Sequence, residues 1–136
     1  MAQIEIFNPD TINRPRAPYS HVATVAPGAK LVVIAGQVAI DRAGNVVGEG
    51  DIEKQAAQVF ANLADALRAA GADWNNVIQF MSFLTRREDI PGFAAYRERE
   101  FRKFYPDGAF PPNTLLIVGG LVNEKLILEV QAVAAV

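Results

Sequence analysis

The chain has 136 residues, a length that fits one domain able to bury roughly two thirds of its unfolded surface. It is 51% hydrophobic and 21% charged, too apolar for disorder, yet it lacks the run of about eighteen apolar residues that a membrane span requires, so a soluble protein is expected. Thirteen basic against fifteen acidic residues leave a net charge of −2, no general pull towards nucleic acid or anionic membrane, and zero cysteines exclude a disulfide framework and a thiolate nucleophile.

The opening MAQIEIFNPD has no basic flank followed by an apolar core, which makes the cytoplasm the expected location. Residues 1–18 hold three prolines, and only Ile4 and Ile6 alternate, so one short edge strand and a turn-rich segment are expected. Two strands follow, YSHVATV from Tyr19 and KLVVIAGQVAI from Lys30, with Pro27-Gly28 between them and a second turn at 42–45. That pattern predicts an antiparallel meander. Between Asp51 and Ala70, Ile52, Ala56, Val59, Phe60, Leu63 and Leu67 fall at helical spacing, with Asp51 as N-cap and Gly71 suited to the position after the C-cap.

Asn76 to Thr85 reads as a buried strand, and Glu88 to Phe104 as a second helix, with Pro91 near its start. Its Arg97, Arg99, Arg102 and Lys103 alternate with Glu98 and Glu100, the pattern of a solvated helix with i,i+4 pairs. Strands at about 113–119 and 125–135 then flank Gly119-Gly120 and are expected to form a pair. In the last strand Leu126, Leu128, Val130, Ala132 and Ala134 share one face, and Ile127, Glu129, Gln131 and Val133 the other. A carboxylate is costly to bury, so Glu129 needs a reason. The strand and helix alternation points to an α+β fold with the helices on one face of a mixed sheet.

Pro18-Tyr19-Ser20, Ala35-Gly36-Gln37, Gly50-Asp51 before Gln55-Ala56, Asn62-Leu63, Ala70-Gly71-Ala72 and the ending from Leu128 to Ala134 follow one another in an order and spacing that resembles the Rid family, also called YjgF/YER057c/UK114. The resemblance covers nearly the whole chain. It implies a chorismate-mutase-like fold, a six-stranded mixed sheet with two helices on one face, and a homotrimer with small-molecule pockets between subunits. It also implies hydrolysis of reactive enamines and imines to 2-keto acids and ammonia. In that chemistry an arginine after the Phe-Pro pair grips the substrate carboxylate, and a last-strand glutamate places the attacking water.

The glutamate matches Glu129. The arginine has no match, because Asn113 follows Phe110-Pro111-Pro112, and Ala35 stands where the family motif has serine. An asparagine offers two weaker donors and an acceptor in place of a permanently charged fork, a loss on the order of a hundredfold or more in carboxylate binding. The resemblance therefore implies Glu129 as the catalytic residue and Tyr19, Ala35, Gly36, Gln37 and Asn113 as substrate-binding residues. The substrate expected is a small imine, enamine or amide-like molecule other than a simple 2-imino acid, hydrolysed without a metal or other cofactor. A trimer that binds a small molecule or a partner without turnover is the competing expectation.

Each residue also has a plainer reading. Glu129 could be a solvated strand carboxylate, Asn113 a strand-start residue bonding its own backbone, and Tyr19 a packing residue with its hydroxyl at the surface. Arg97 or Arg99 could replace the missing guanidinium if either reached the pocket. His21, the single histidine, lacks a Cys, His or carboxylate cluster for a metal, and its neighbour Ser20 projects to the opposite face. Ribonuclease chemistry lacks a His or Lys pair. Gly48-Glu49-Gly50 and Gly119-Gly120 lack the phosphate-binding context and read as turns.

Overall fold

A computed structural model describes residues 2–136. The elements run β1 (Ile4–Phe7), β2 (Val22–Val25), β3 (Leu31–Val38), α1 (Ile52–Ala69), β4 (Val77–Leu84), α2 (Ile90–Phe104), β5 (Asn113–Ile117) and β6 (Leu128–Ala135). Single 3₁₀ turns at Trp74–Asn76 and Arg87–Asp89 lead into β4 and α2. The start of α1 is chemical: Asp51 is extended and its carboxylate accepts from Lys54 N at 3.1 Å. Its end is set by Gly71 at φ +74, the left-handed geometry that glycine adopts without strain.

The six strands divide into two sheets. β1 and β2 form an antiparallel pair, Ile4 opposite Val25 through Phe7 opposite Val22, and the other four run in the order β3-β6-β4-β5. β3 and β4 are antiparallel to β6, whereas β5 is parallel to β4. The meander expected from Tyr19 to Ile40 is therefore corrected, since β2 pairs with β1 and β3 with β6. The backbone shows why: Ala26 N bonds Gln3 O at 3.0 Å, and Lys30 and Val136 exchange bonds of 2.7 and 2.9 Å. The chain changes sheet between those residues, around Gly28 at φ +91. The expected pairing across Gly119-Gly120 is corrected too, because β4 lies between β5 and β6.

Both helices cover one face of the four-stranded sheet, α1 over β3 and β6 and against α2. Phe60 sits at the centre of the core, its ring 5.4 to 6.5 Å from Phe80, Phe93, Tyr96, Phe101, Phe104 and Trp74. Polar side chains inside this core serve the backbone. Gln55 is fully buried, donates to Lys125 O at 2.8 Å and accepts from Ile127 N at 2.9 Å. Asn62 donates to Val38 O and Ile40 O, and Asn76 to Ala135 O. Each satisfies carbonyls or amides that a strand end would otherwise leave unpaired.

Candidate functional site

Period-2 geometry puts Leu128, Val130 and Ala132 of β6 into the core and leaves Glu129, Gln131 and Val133 half-buried on the face away from the helices. There Glu129 lies opposite Phe83 of β4 and Val38 of β3. β3 shifts register between Ile34 and Gln37, so Ala35 and Gly36 form an irregularity beside Glu129. The carboxylate crosses directly over Gly36: a Cβ added there would lie 2.1 Å from Glu129 Oε1 and 2.8 Å from its Cδ. Any side chain at position 36 would therefore push the end of Glu129 aside. Gln37 Nε2 folds back onto Ala35 O at 3.1 Å. Among the described residues Glu129 takes part in no side-chain hydrogen bond or ion pair.

Asn113 and Tyr19 belong to a different part of the chain's surface. Asn113 opens β5 opposite Phe80, and its amide oxygen accepts from the hydroxyl of Ser82 at 2.7 Å. Phe80 and Ser82 are buried on the helix side of β4, whereas Phe83, opposite Glu129, is on the other side. Within one chain Asn113 and Glu129 therefore occupy opposite faces of the sheet. A parallel bridge between Ser20 and Pro112 brings the Pro18-Tyr19-Ser20 segment next to Asn113, and Tyr19 is half-buried there. Two groups result: Gly36 with Glu129, and Tyr19 with Asn113.

Neither arginine considered as a substitute bonds to Glu129 or Asn113. Arg99 is held at the surface by Glu53 at 2.7 Å and Glu100 at 3.1 Å. Arg97 contradicts the solvated pattern of its helix: it is 6% exposed, donates to Pro18 O at 2.8 Å and stacks 4.8 Å above Phe101. Burial pushes its guanidinium down to about 10. The Arg97 hydrogen bond anchors the residue preceding Tyr19. His21 also holds the N-terminal segment, its backbone N bonding Asn8 Oδ1 and its Nε2 lying 2.8 Å from Asn13 O, with Tyr19 edge-on at 5.7 Å.

Ser82 is the partner of Asn113 that the sequence did not single out, and the register of a parallel strand pair is the only signal that could have found it. No group of three or more His, Asp or Glu side chains placed to hold one metal ion occurs among the described residues. No helix among them is long and apolar enough to cross a membrane.

Comparison with known proteins fits this geometry. Residues 11–136 match the family model described as Endoribonuclease L-PSP. A RutC family protein of Synechocystis sp. is 33% identical over 121 residues, covering 88% of this chain and 87% of its own. The 2-iminobutanoate/2-iminopropanoate deaminase of Mus musculus is 30% identical over 117 residues, covering 86% and 80%. A Rid family protein of Yersinia pestis superposes with a TM-score of 0.85 at 30% identity, covering 98% of both chains. With two helices on one face of a mixed sheet and a family match over nearly its whole length, the chain belongs to the Endoribonuclease L-PSP family, the Rid or YjgF/YER057c/UK114 family, and has its chorismate-mutase-like α+β fold.

Proposed function

We propose that this chain is a hydrolase or deaminase acting on a small imine, enamine or amide-like molecule in a pocket between subunits of a homotrimer. The observation that carries this reading is the Glu129 carboxylate, half-buried beside Phe83, laid over a glycine and free of any protein partner among the described residues. A carboxylate kept from every cation is available to a water. In the reaction Glu129 takes a proton from that water as its oxygen adds to the C=N carbon, and the nitrogen is protonated. The carbinolamine then collapses to a carbonyl and ammonia. An enamine enters the same path after tautomerising to the imine.

Two features of the single chain support the interface assignment. Val33, on the face of β3 away from the helices, is 77% exposed, and Leu116 of β5 is 40% exposed, an apolar surface that a second copy would cover. Opposite-face placement of Asn113 and Glu129 means that a second copy is also what would bring the Tyr19–Asn113 group of one chain against the Glu129 of another. Substrate carboxylates are not the expected handle, because Asn113 carries no charge and could offer them only its amide N–H donors. The uncharged side chain at position 113 equally favours a second reading, a trimer that binds a small molecule without turnover.

Ammonia release across imines, enamides and carbamoyl compounds, compared between wild type and Glu129→Ala, separates the readings. The proposal expects turnover that falls at least about a hundredfold in the variant. Equal rates in the two proteins would remove Glu129 from the mechanism. Ligand-induced thermal stabilisation with no ammonia released from any compound would support the binding trimer instead. Ribonuclease activity, the other activity attached to the family's description, has little support from a chain of net charge −2.

A further inference from the structure

We propose that Ser82 is a specificity-determining residue: by holding the oxygen of Asn113 it turns the amide N–H donors towards the ligand, so that the pocket selects a neutral carbonyl oxygen. The proposal deepens the hydrolytic reading and rests on the placement of Asn113 in that pocket. It narrows the substrate class to imines and enamines with an uncharged carbonyl beside the C=N carbon, such as those of α-keto amides and α-keto esters.

The orientation follows from a buried proton. Ser82 is 1% exposed and is flanked on its own face of β4 by Phe80 and Leu84, with Val130 opposite it on β6, all of them buried. Its hydroxyl has one proton to donate, and among the described residues its side-chain partner is Asn113 Oδ1 at 2.7 Å. The two ends of an amide are alike in shape, and this proton is what tells them apart. Were the amide turned, its nitrogen would donate to the Ser82 oxygen and the hydroxyl proton would lose its acceptor. Leaving a buried donor unpaired disfavours the turned amide by about fivefold or more.

What a ligand meets is therefore the other end. Asn113 is half-buried at the start of β5, and its Nδ2 donates to no side chain or carbonyl among the described residues and is not sealed from solvent. The backbone before it is held on both sides: Phe80 N bonds Pro112 O at 2.9 Å, and Pro112 bridges to Ser20, next to Tyr19. A carbonyl oxygen accepts from the outward N–H pair with no charge to desolvate. A carboxylate accepts as well, but gives up its hydration to an uncharged partner. An ammonium can only donate, so it must turn the amide and strand the Ser82 proton.

The test is a calorimetric titration of the full-length protein with 4-methylpentan-2-one, 3-methylbutanoate and isopentylammonium, the side-chain amide resonance of Asn113 locating the site. These probes share an isobutyl group and present a neutral carbonyl, a carboxylate and an ammonium. The wild type is expected to bind the ketone saturably and more tightly than either ion. Ser82→Ala, in which the amide can turn without stranding a proton, should raise affinity for the ammonium relative to the ketone by about fivefold or more. Ser82→Thr, which keeps the hydroxyl, should retain the wild-type ratio. Asn113→Asp keeps the Ser82 bond through a carboxylate oxygen but removes the outward donors, and should reverse the preference in favour of the ammonium. A packing role alone for Ser82 would lower the melting temperature without moving the ratio. No saturable ketone shift at Asn113, an unchanged ratio in Ser82→Ala, or a ketone preference that survives Asn113→Asp would each overturn the proposal. The titration reads binding alone, so a failure of hydrolysis shows separately, in the ammonia release of wild type and Glu129→Ala.

Discussion

Replacing Gly36 by alanine tests the candidate site through space rather than chemistry. The new methyl carbon would stand 2.1 Å from Glu129 Oε1, 2.8 Å from Cδ and 2.9 Å from Cγ, where ordinary contact begins at 3.4 Å. The whole end of the Glu129 side chain must withdraw by more than an ångström. The fold should scarcely notice. Alanine in a strand gains about 0.5–1 kcal/mol over glycine through lower unfolded-state entropy, and an off-rotamer glutamate costs about 0.5–1.5 kcal/mol, so the net change stays within roughly 1 kcal/mol. That corresponds to a melting-temperature shift of about 4 °C or less for a chain of this size. A misplacement of about 1 Å in a positioned group can cost on the order of a hundredfold in rate. Ammonia release and thermal melting of Gly36→Ala, Glu129→Ala and the double variant provide the assay. The expected pattern is a rate near that of Glu129→Ala, a melting temperature near wild type, and a double variant no slower than Glu129→Ala alone. Wild-type turnover in Gly36→Ala would refute the claim that this carboxylate's position matters, and a melting temperature lower by more than about 10 °C would show that the glycine serves the fold instead.

Gln55→Ala should cost about 2–4 kcal/mol in urea unfolding, because it strands the buried Ile127 amide and removes the part-buried bond to the Lys125 carbonyl, and the Ile127 amide should lose protection from hydrogen exchange. Asn113→Arg should raise turnover of carboxylate-bearing imines by about tenfold or more relative to neutral ones, and an unchanged ratio would place residue 113 outside the substrate pocket. Burial, reinforced by Glu100, pushes the Tyr96 phenol up to about 12, so folding favours its protonated form. That contribution is complete below the phenol's ordinary value of 10.0 and is lost as pH rises through about 12. Wild-type stability should therefore fall more steeply than that of Tyr96→Phe over this window, with Tyr105, also raised by burial, contributing in the same direction in both.

What the sequence made legible is what local physics decides. Asp51 caps α1, Gly71 follows its end, and the alternation from Leu128 onward correctly assigns Glu129 to the face away from the core. Strand pairing was not legible in the same way. Periodicity says which face of a strand is buried but not which neighbour it takes, so β2 and β3 read equally well as a meander until the bonds of Ala26 and Lys30 show them in separate sheets. Arg97 was hidden for another reason. Its neighbours alternate in charge, and nothing local marks the one guanidinium that stacks on Phe101 and bonds the carbonyl of Pro18. The contact between Gly36 and Glu129 joins residues far apart in the chain across a register shift, and a motif shows only that a glycine is present.

The residues that carried the family resemblance divide by what they touch. Gln55 and Asn62 bond backbone: Gln55 grips Lys125 and Ile127 just before β6, and Asn62 holds the end of β3 at Val38 and Ile40. These are the two strands whose register places Glu129 over Gly36. Amide side chains that do not bond the carboxylate therefore hold the strands that position it, and neither bonds residue 113. These clamps, and with them the fold and the placement of Glu129, are independent of the neutral amide that stands at position 113, at the start of an outer strand. Under the proposed function, in which residue 113 faces the substrate, fold and substrate choice are set by different residues, so membership of the family constrains the first far more tightly than the second.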